Sequence, residues 1–383
     1  MTNNSLCILC PDRIYPQQNG GALRTLNIAK LAVNMFSHVS VLSVDEEITY
    51  DGNLDGIRLL QAQKYHTSFD KLKYFFDGAF SSDFSLKAPD LRSYTTNSTL
   101  VQIEGPYFYN ALKKSGIKNF ILNEHNVYWE FGRYPAYNTK ELIYYRFTYN
   151  RNKSIEIKAL KDATHVLACS ERDAHILINE VPEVEGKITV VPNCVNFKEY
   201  QSFHKDHPHT DDERRSFTIL FIGLLTYSPN RDAVEIICSQ IAPNFGEDVQ
   251  FVIIGKNPPN IPKPANVQFL GYVKDVKEYI QRSDICIAPL RYGSGTRFKI
   301  LEYMAMGKPV ISTSKGAEGL DYTHGENIII EDDINAFSKD ITSVLDDKQL
   351  RNKLGKNAME LIKQKYDWEI YRKPLLEVYE ACR

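Results

Sequence analysis

Two doubly wound α/β domains in tandem are the fold class this sequence predicts, on three observations. Short apolar runs of strand length alternate along the chain with segments of helical period. The alternation pauses in a charged, histidine-rich stretch at 198–216 and then starts again. At 383 residues the chain also exceeds the roughly 250–300 residues at which a single core usually stops growing. Strand, glycine turn and helix in succession argue for parallel sheets, because parallel neighbours need a crossover and a helix is the usual one.

The first strand is read at residues 5–10, in the apolar run Leu6-Cys7-Ile8-Leu9-Cys10. The turn Pro16-Gln17-Gln18-Asn19-Gly20-Gly21 follows, then an apolar-periodic helix from Ala22 to Met35 and a strand from His38 to Val44. Further strands are expected at 99–103, 119–122, 163–168 and 187–191. After the pause, Thr218–Ile222, Val249–Ile254, Val267–Leu270, Ile285–Leu290 and Pro309–Thr313 read as buried parallel strands. Helices are expected between them at 230–241, 274–281, 297–306 and 335–345. The predicted organisation is an N-terminal Rossmann-like domain at 1–200, a connection at 201–216, a second such domain at 217–365, and a C-terminal helix at 366–383 that returns to the first domain. Ligands of such sheets bind beyond the strand C-termini, so a substrate cleft is expected where the two loop-rich ends face each other.

Composition narrows the class of function. Hydrophobic residues at 43% and charged residues at 25% are those of a globular protein, and a net charge of −2 gives no general attraction for nucleic acid. Seven cysteines are scattered without zinc-like pairing; Cys7 and Cys10 form a lone Cys-x-x-Cys inside the apolar first run, and read as small buried side chains. No metal site is expected, and the odd cysteine count favours a reducing compartment. No apolar run is long enough to span a bilayer, which predicts a cytoplasmic protein, with peripheral contact at the inner face of the membrane left open.

The strongest local chemistry lies in Ile285-Cys286-Ile287-Ala288-Pro289-Leu290-Arg291-Tyr292-Gly293-Ser294-Gly295-Thr296-Arg297-Phe298-Lys299-Ile300-Leu301-Glu302, which passes from strand through turn to helix. Gly293 and Gly295 allow close backbone approach, and the N–H groups of Ser294 to Thr296 at the helix start suit phosphate oxygens. Arg297 offers a forked contact and Lys299 a point charge for a diphosphate leaving group. Lys299 and Glu302, three residues apart, share a helix face; a surface ion pair worth about 0.2–0.5 kcal/mol is the plain reading, and ribose-hydroxyl binding by Glu302 the functional one. The segment matches neither the P-loop pattern nor Gly-x-Gly-x-x-Gly, which weakens ATPase and dehydrogenase readings.

Taken with Gly20-Gly21, Ile222-Gly223, Leu270-Gly271-Tyr272-Val273 with Asp275, and Gly307-Lys308-Pro309-Val310-Ile311-Ser312-Thr313, this block resembles the retaining family 4 glycosyltransferases of GT-B fold, with their group 1 C-terminal domain. The resemblance spans nearly the whole chain. It implies transfer of a sugar from a nucleoside-diphosphate-sugar co-substrate to an acceptor hydroxyl with retained anomeric configuration, and no other cofactor. Gly20, Gly21 and Gly223 then belong to loops near the donor phosphates, Glu302 to the ribose, and the Gly271-Tyr272-Val273 turn to the base, with cover for a core edge as the other reading of Tyr272. His125, in Asn123-Glu124-His125-Asn126, matches the family histidine near the donor sugar. Glu104 either binds an acceptor hydroxyl or stabilises its turn. Two departures stand out: Ser294 replaces the family's first motif glutamate eight residues before Glu302, and Leu224 and Asn230 replace its basic pair. Arg297 and Lys299 are expected to supply that missing charge.

Between 128 and 158, aromatic residues from Tyr128 to Tyr149 mix with Arg133, Lys140, Arg146 and Arg151. They suit helix packing, sugar stacking or a membrane surface. The expected acceptor is a glycan, a lipid-linked sugar or a protein, in bacterial surface glycan assembly. A nucleotide-sugar epimerase or hydrolase, or an inactive carbohydrate-binding protein of the same fold, are the competing readings.

Overall fold

The computed structural model describes residues 4–16, 19–45, 49–63, 91, 95, 99–133, 139–206, 216–293 and 295–383. The chain forms two compact units. The first comprises Met1–Arg133, Lys140–Pro192 and Tyr371–Arg383, and the second contains Asn193–Ile370.

The sheet of the first unit has the order β3-β4-β2-β1-β5-β6-β7-β8. Its strands are β1 (Ser5–Cys10), β2 (His38–Asp45), β3 (Tyr50–Leu54), β4 (Ile57–Gln63), β5 (Thr99–Glu104), β6 (Phe120–Glu124), β7 (His165–Ala168) and β8 (Ile188–Val190). All neighbours pair parallel except β3 with β4. That hairpin was not among the expected strands, although its turn residues Asp55 and Gly56 both take positive φ, 52° and 83°, as an Asp-Gly hairpin turn requires. From Leu6 to Cys10 every side chain of β1 is buried, because helices cover both faces of a parallel sheet. All seven cysteines are buried and none is in a disulfide, and burial pushes the Cys7 thiol up to about 11.

The second unit holds β9 (Phe217–Ile222), β10 (Val249–Ile254), β11 (Val267–Gly271), β12 (Ile285–Ala288), β13 (Val310–Ser312) and β14 (Ile329–Ile330), all parallel, in the order β11-β10-β9-β12-β13-β14. The chain leaves β1 and β9 toward one side and later returns to pair with their other edge, at β5 and β12. Each sheet therefore has a switch point, the place where doubly wound sheets bind ligands.

Two stretches differ from their composition. Residues 201–206, expected within a solvated connection, continue the helix Phe197–Asp206, because Phe197 and Tyr200 are buried in the second unit's core. Residues 207–215 lie outside the described residues. The last helix, Trp368–Cys382, tolerates Pro374 inside it and buries Leu375 and Tyr379. The Tyr379 hydroxyl donates to Gln102 Oε1 at 2.8 Å and Asn119 Nδ2 donates to the Cys382 carbonyl at 2.8 Å, which ties the chain end to β5 and the start of β6.

Candidate functional site

The candidate residues form two clusters, one in each unit. In the first, β5 ends on Glu104, which has no exposed surface. Gln102 Nε2 donates to its Oε1 at 2.6 Å; Thr25 Oγ1 at 3.0 Å, Asn123 Nδ2 at 2.8 Å and His125 Nε2 at 2.5 Å all converge on its Oε2. Burial alone would raise this carboxyl, but the hydrogen bond and charge of His125, with Gln102 and Arg24, outweigh it and hold the pKa below the usual value. An ionised carboxylate only accepts, so His125 Nε2 carries the hydrogen and Nδ1 faces away from Glu104. With four donors and no exposure, Glu104 has no room for an acceptor hydroxyl. Its hydrogen bond orients His125 instead.

Helix α1 (Gly20–Ala32) begins beside this network. Asn19 caps it, its Oδ1 accepting from Ala22 N at 2.9 Å while its Nδ2 donates to Asp12 Oδ1 at 2.7 Å. A Cβ at Gly21 would collide with Asp12 Oδ2 and lie 3.3 Å from His125 Nδ1. Gly21 thus lets the helix start, Asp12 and His125 meet. Arg24, fully buried on α1, donates through Nη2 to Asn123 Oδ1 at 2.9 Å.

Glu124, next to His125 in sequence, is buried, and among the described residues neither carboxyl oxygen has a hydrogen-bond partner. Burial first, then the nearby Glu156, Asp173 and Glu104 side chains, push its pKa well up. Glu156 accepts the Tyr128 and Trp129 N–H groups at 2.9 and 3.1 Å.

In the second unit the turns after β9 and β12 meet. Lys299 Nζ donates to Asn230 Oδ1 at 2.7 Å and lies 4.2 Å from the Phe221 ring centroid. A Cβ at Gly223 would approach Lys299 Nζ to 2.9 Å, and one at Gly293 would approach Arg297 Nη2 to 2.6 Å. Gly293 has φ 105° and Gly295 φ 80°, conformations that favour glycine. Burial and then the Arg297 charge press the Lys299 pKa well down, which marks two cations crowded at one turn. Asn230, which stands where the resembling family has a basic residue, therefore carries a cation as its hydrogen-bond partner. Lys299 does not pair with Glu302, contrary to the plain reading; it turns toward Asn230, and Glu302 Oε1 accepts from the Tyr200 hydroxyl at 2.9 Å. Burial raises the Glu302 pKa to about 7 against the opposing pull of Tyr200, Lys277 and Lys299.

Thr296 is buried, its carbonyl accepting from Asn193 Nδ2 at 3.1 Å, while its own Oγ1 has no hydrogen-bond partner among the described residues. Ser294 lies outside the described residues. Tyr272 is 64% exposed after Gly271, whose φ is 70°, so it does not cover a core edge. The Lys256 ammonium stands 5.0 Å from its ring centroid, and Val273 packs against the core. Sequence reasoning missed Asp12, Asn193, Tyr200 and Gly255. The last is readable only in three dimensions, since a Cβ there would strike the Gly223 carbonyl. Among the described residues no group of three or more His, Cys, Asp or Glu side chains is placed to hold a metal ion, and no helix is long and apolar enough to cross a membrane.

The sequence profile of the glycosyl transferases group 1 matches residues 216–347, the stretch from β9 to the helix Phe337–Asp346. Sucrose-phosphate synthase from Thermosynechococcus elongatus superposes with a TM-score of 0.76 at 16% identity, over 98% of both chains. The chain has the GT-B fold and is related to the group 1 glycosyltransferases. A 2-deoxystreptamine N-acetyl-D-glucosaminyltransferase of Niallia circulans is 22% identical to this GT-B protein over 244 residues, 58% of this chain and 60% of that one. The UDP-Gal:alpha-D-GlcNAc-diphosphoundecaprenol alpha-1,3-galactosyltransferase of Escherichia coli is 27% identical over 230 residues, 55% of this chain and 58% of that one. The chain thus spans about three fifths of the length of these two curated relatives.

Proposed function

We propose that this protein is a retaining glycosyltransferase that moves a sugar from a nucleoside diphosphate held on the second unit to an acceptor hydroxyl. The observation that carries the reading is the turn where Gly223, Asn230, Gly293, Arg297 and Lys299 come together, one helical turn before Glu302. Glycine turns admit the diphosphate to the backbone, and two crowded cations gain from meeting its charge as it develops on departure. Glu302, an acceptor on the same helix, receives the ribose hydroxyls. Exposed Tyr272 offers a ring to stack on the base.

Departure of the diphosphate gives the anomeric carbon oxocarbenium character, and a departing phosphate oxygen takes the proton of the incoming hydroxyl on the same face. His125, fixed in rotation by Glu104, positions the transferred sugar and is not required to remove that proton. The name of the Escherichia coli relative supports a uridine diphosphate donor and a lipid-linked acceptor.

The test is a screen of purified protein with nucleotide sugars against pooled sugar and lipid-linked acceptors, read by product mass and anomeric NMR. An α-configured donor giving an α-linked product supports the reading. Conversion or hydrolysis of donor with no acceptor product moves the assignment to an epimerase or hydrolase.

A further inference from the structure

Tyr200 stands in the charged stretch at 198–216, yet its side chain belongs to the second unit's core. The helix Phe197–Asp206 packs against the helix Phe298–Ala305, and the Tyr200 ring is buried in the cluster that holds Ile300 and Leu301. Packing there asks only for an aromatic ring. The hydroxyl adds a polar atom that burial penalises unless it is bonded. Among the described residues its one hydrogen bond goes to Glu302, the phenol donating to Oε1 at 2.9 Å. Glu302 is partly exposed and accepts no other hydrogen bond from the described residues, so Oε2 is left for a ligand.

The phenol has support of its own. Lys277 Nζ stands 5.7 Å from the Tyr200 ring centroid, donates to Glu199 Oε1 at 2.5 Å and lies 3.6 Å from Asp275 Oδ2. Glu199 is the helical neighbour of Tyr200, so this ion pair fastens the helix Phe197–Asp206 to the helix Lys277–Arg282 beside the phenol. The same groups act on the Glu302 carboxyl. Burial raises its pKa to about 7 and Asp275 adds to the rise, while Tyr200 first, then Lys277 and Lys299, pull it down. Loss of the Tyr200 hydroxyl therefore leaves more of this carboxyl protonated at neutral pH, and a protonated carboxyl is the poorer acceptor.

We propose that Tyr200 is a positioning residue for nucleotide binding: by donating to Oε1 it sets the rotation of the Glu302 carboxylate and leaves Oε2 to accept a ribose hydroxyl. The inference rests on the assignment of Glu302 to the ribose. It places a determinant of donor affinity 102 residues before Glu302, in a segment whose composition reads as a connection.

The experiment titrates UDP and 2′,3′-dideoxyuridine 5′-diphosphate by calorimetry into wild type, Tyr200→Phe, Glu302→Ala and the double variant, with melting curves confirming that each is folded. Tyr200→Phe keeps the buried ring and removes only the hydroxyl. It is expected to bind UDP about fivefold more weakly than wild type at pH 7, from loss of one hydrogen bond to a charged group. The deficit should widen toward pH 6 and narrow toward pH 9, where the carboxyl is ionised in both proteins. Affinity for the dideoxy analogue should stay within about twofold, and in the Glu302→Ala background the Tyr200→Phe change should have no further effect on UDP. An unchanged UDP affinity in Tyr200→Phe, a loss equal for both diphosphates, or a loss undiminished in the Glu302→Ala background overturns the role of Tyr200 while the ribose assignment stands. A wild-type protein that binds the two diphosphates equally well overturns the ribose assignment and the inference with it.

Discussion

His125 Nε2 lies 2.5 Å from Glu104 Oε2, at the C-terminal ends of two adjacent strands of one sheet. The two residues are 21 apart in sequence, and it is the parallel register of β5 with β6, pairing Glu104 with Asn123, that brings them together. Glu104 fixes the hydrogen of His125 on Nε2 and leaves Nδ1 facing Gly21.

Replacing Glu104 with Gln removes the charge and presents an amide that can also donate, so His125 loses its fixed orientation. Turnover in Glu104→Gln is expected to fall by about tenfold or more while UDP affinity is retained, because UDP is assigned to the other cluster. The folded pKa of Glu104 is depressed, so its stabilising contribution is present above the ordinary carboxylate range and is lost as pH falls through the folded value. Acid melting of wild type and Glu104→Gln should therefore differ at pH 7 and converge toward pH 3. Equal melting at both pH values contradicts the network.

Glu124 gives the opposite sign. Its folded pKa is raised, so the protein is penalised as pH rises from the unfolded carboxylate value toward the folded one. Glu124→Gln keeps the shape of the protonated side chain and removes the penalty. We expect it to melt about 2–4 °C higher than wild type at pH 8, with the gap closing by pH 4. A lower melting temperature at pH 8 would mean that the ionised carboxylate has a partner.

Much of this fold was legible. The apolar runs of β1, β10 and β12 announced buried parallel strands, because a strand covered on both faces has no polar side to show. The hairpin β3–β4 was not, since β3 alternates between exposed and half-buried residues and its Asp55-Gly56 turn is short. At the sites, glycines and charges stood out in the sequence, but their partners did not. Nothing local links Asn230 to Lys299, Tyr200 to Glu302, or Asp12 to Gly21; these pairs exist because the fold brings separate elements together.

Glu302, with a pKa raised to about 7, is partly protonated in the free protein at neutral pH. Ribose hydroxyls donating to it favour the carboxylate and lower that value, so binding of UDP near pH 7 should release a proton. Calorimetry in buffers of different ionisation heat reads this directly. Glu302→Gln should bind UDP about tenfold or more weakly, and the release seen with wild type should be missing from it. Equal proton release by the variant would place the titrating group elsewhere.

Arg297 and Lys299 are proposed to hold the diphosphate in a chain with Leu224 and Asn230 at the positions of the family's basic pair. Titration of UDP and of uridine into wild type and the Arg297→Gln, Lys299→Gln double variant measures it most directly, with melting curves confirming that the variant is folded. The variant is expected to lose about 100-fold in affinity for UDP, as two charged hydrogen-bonding groups would contribute, while its affinity for uridine stays within about threefold of wild type. An unchanged UDP affinity in the folded double variant would contradict it.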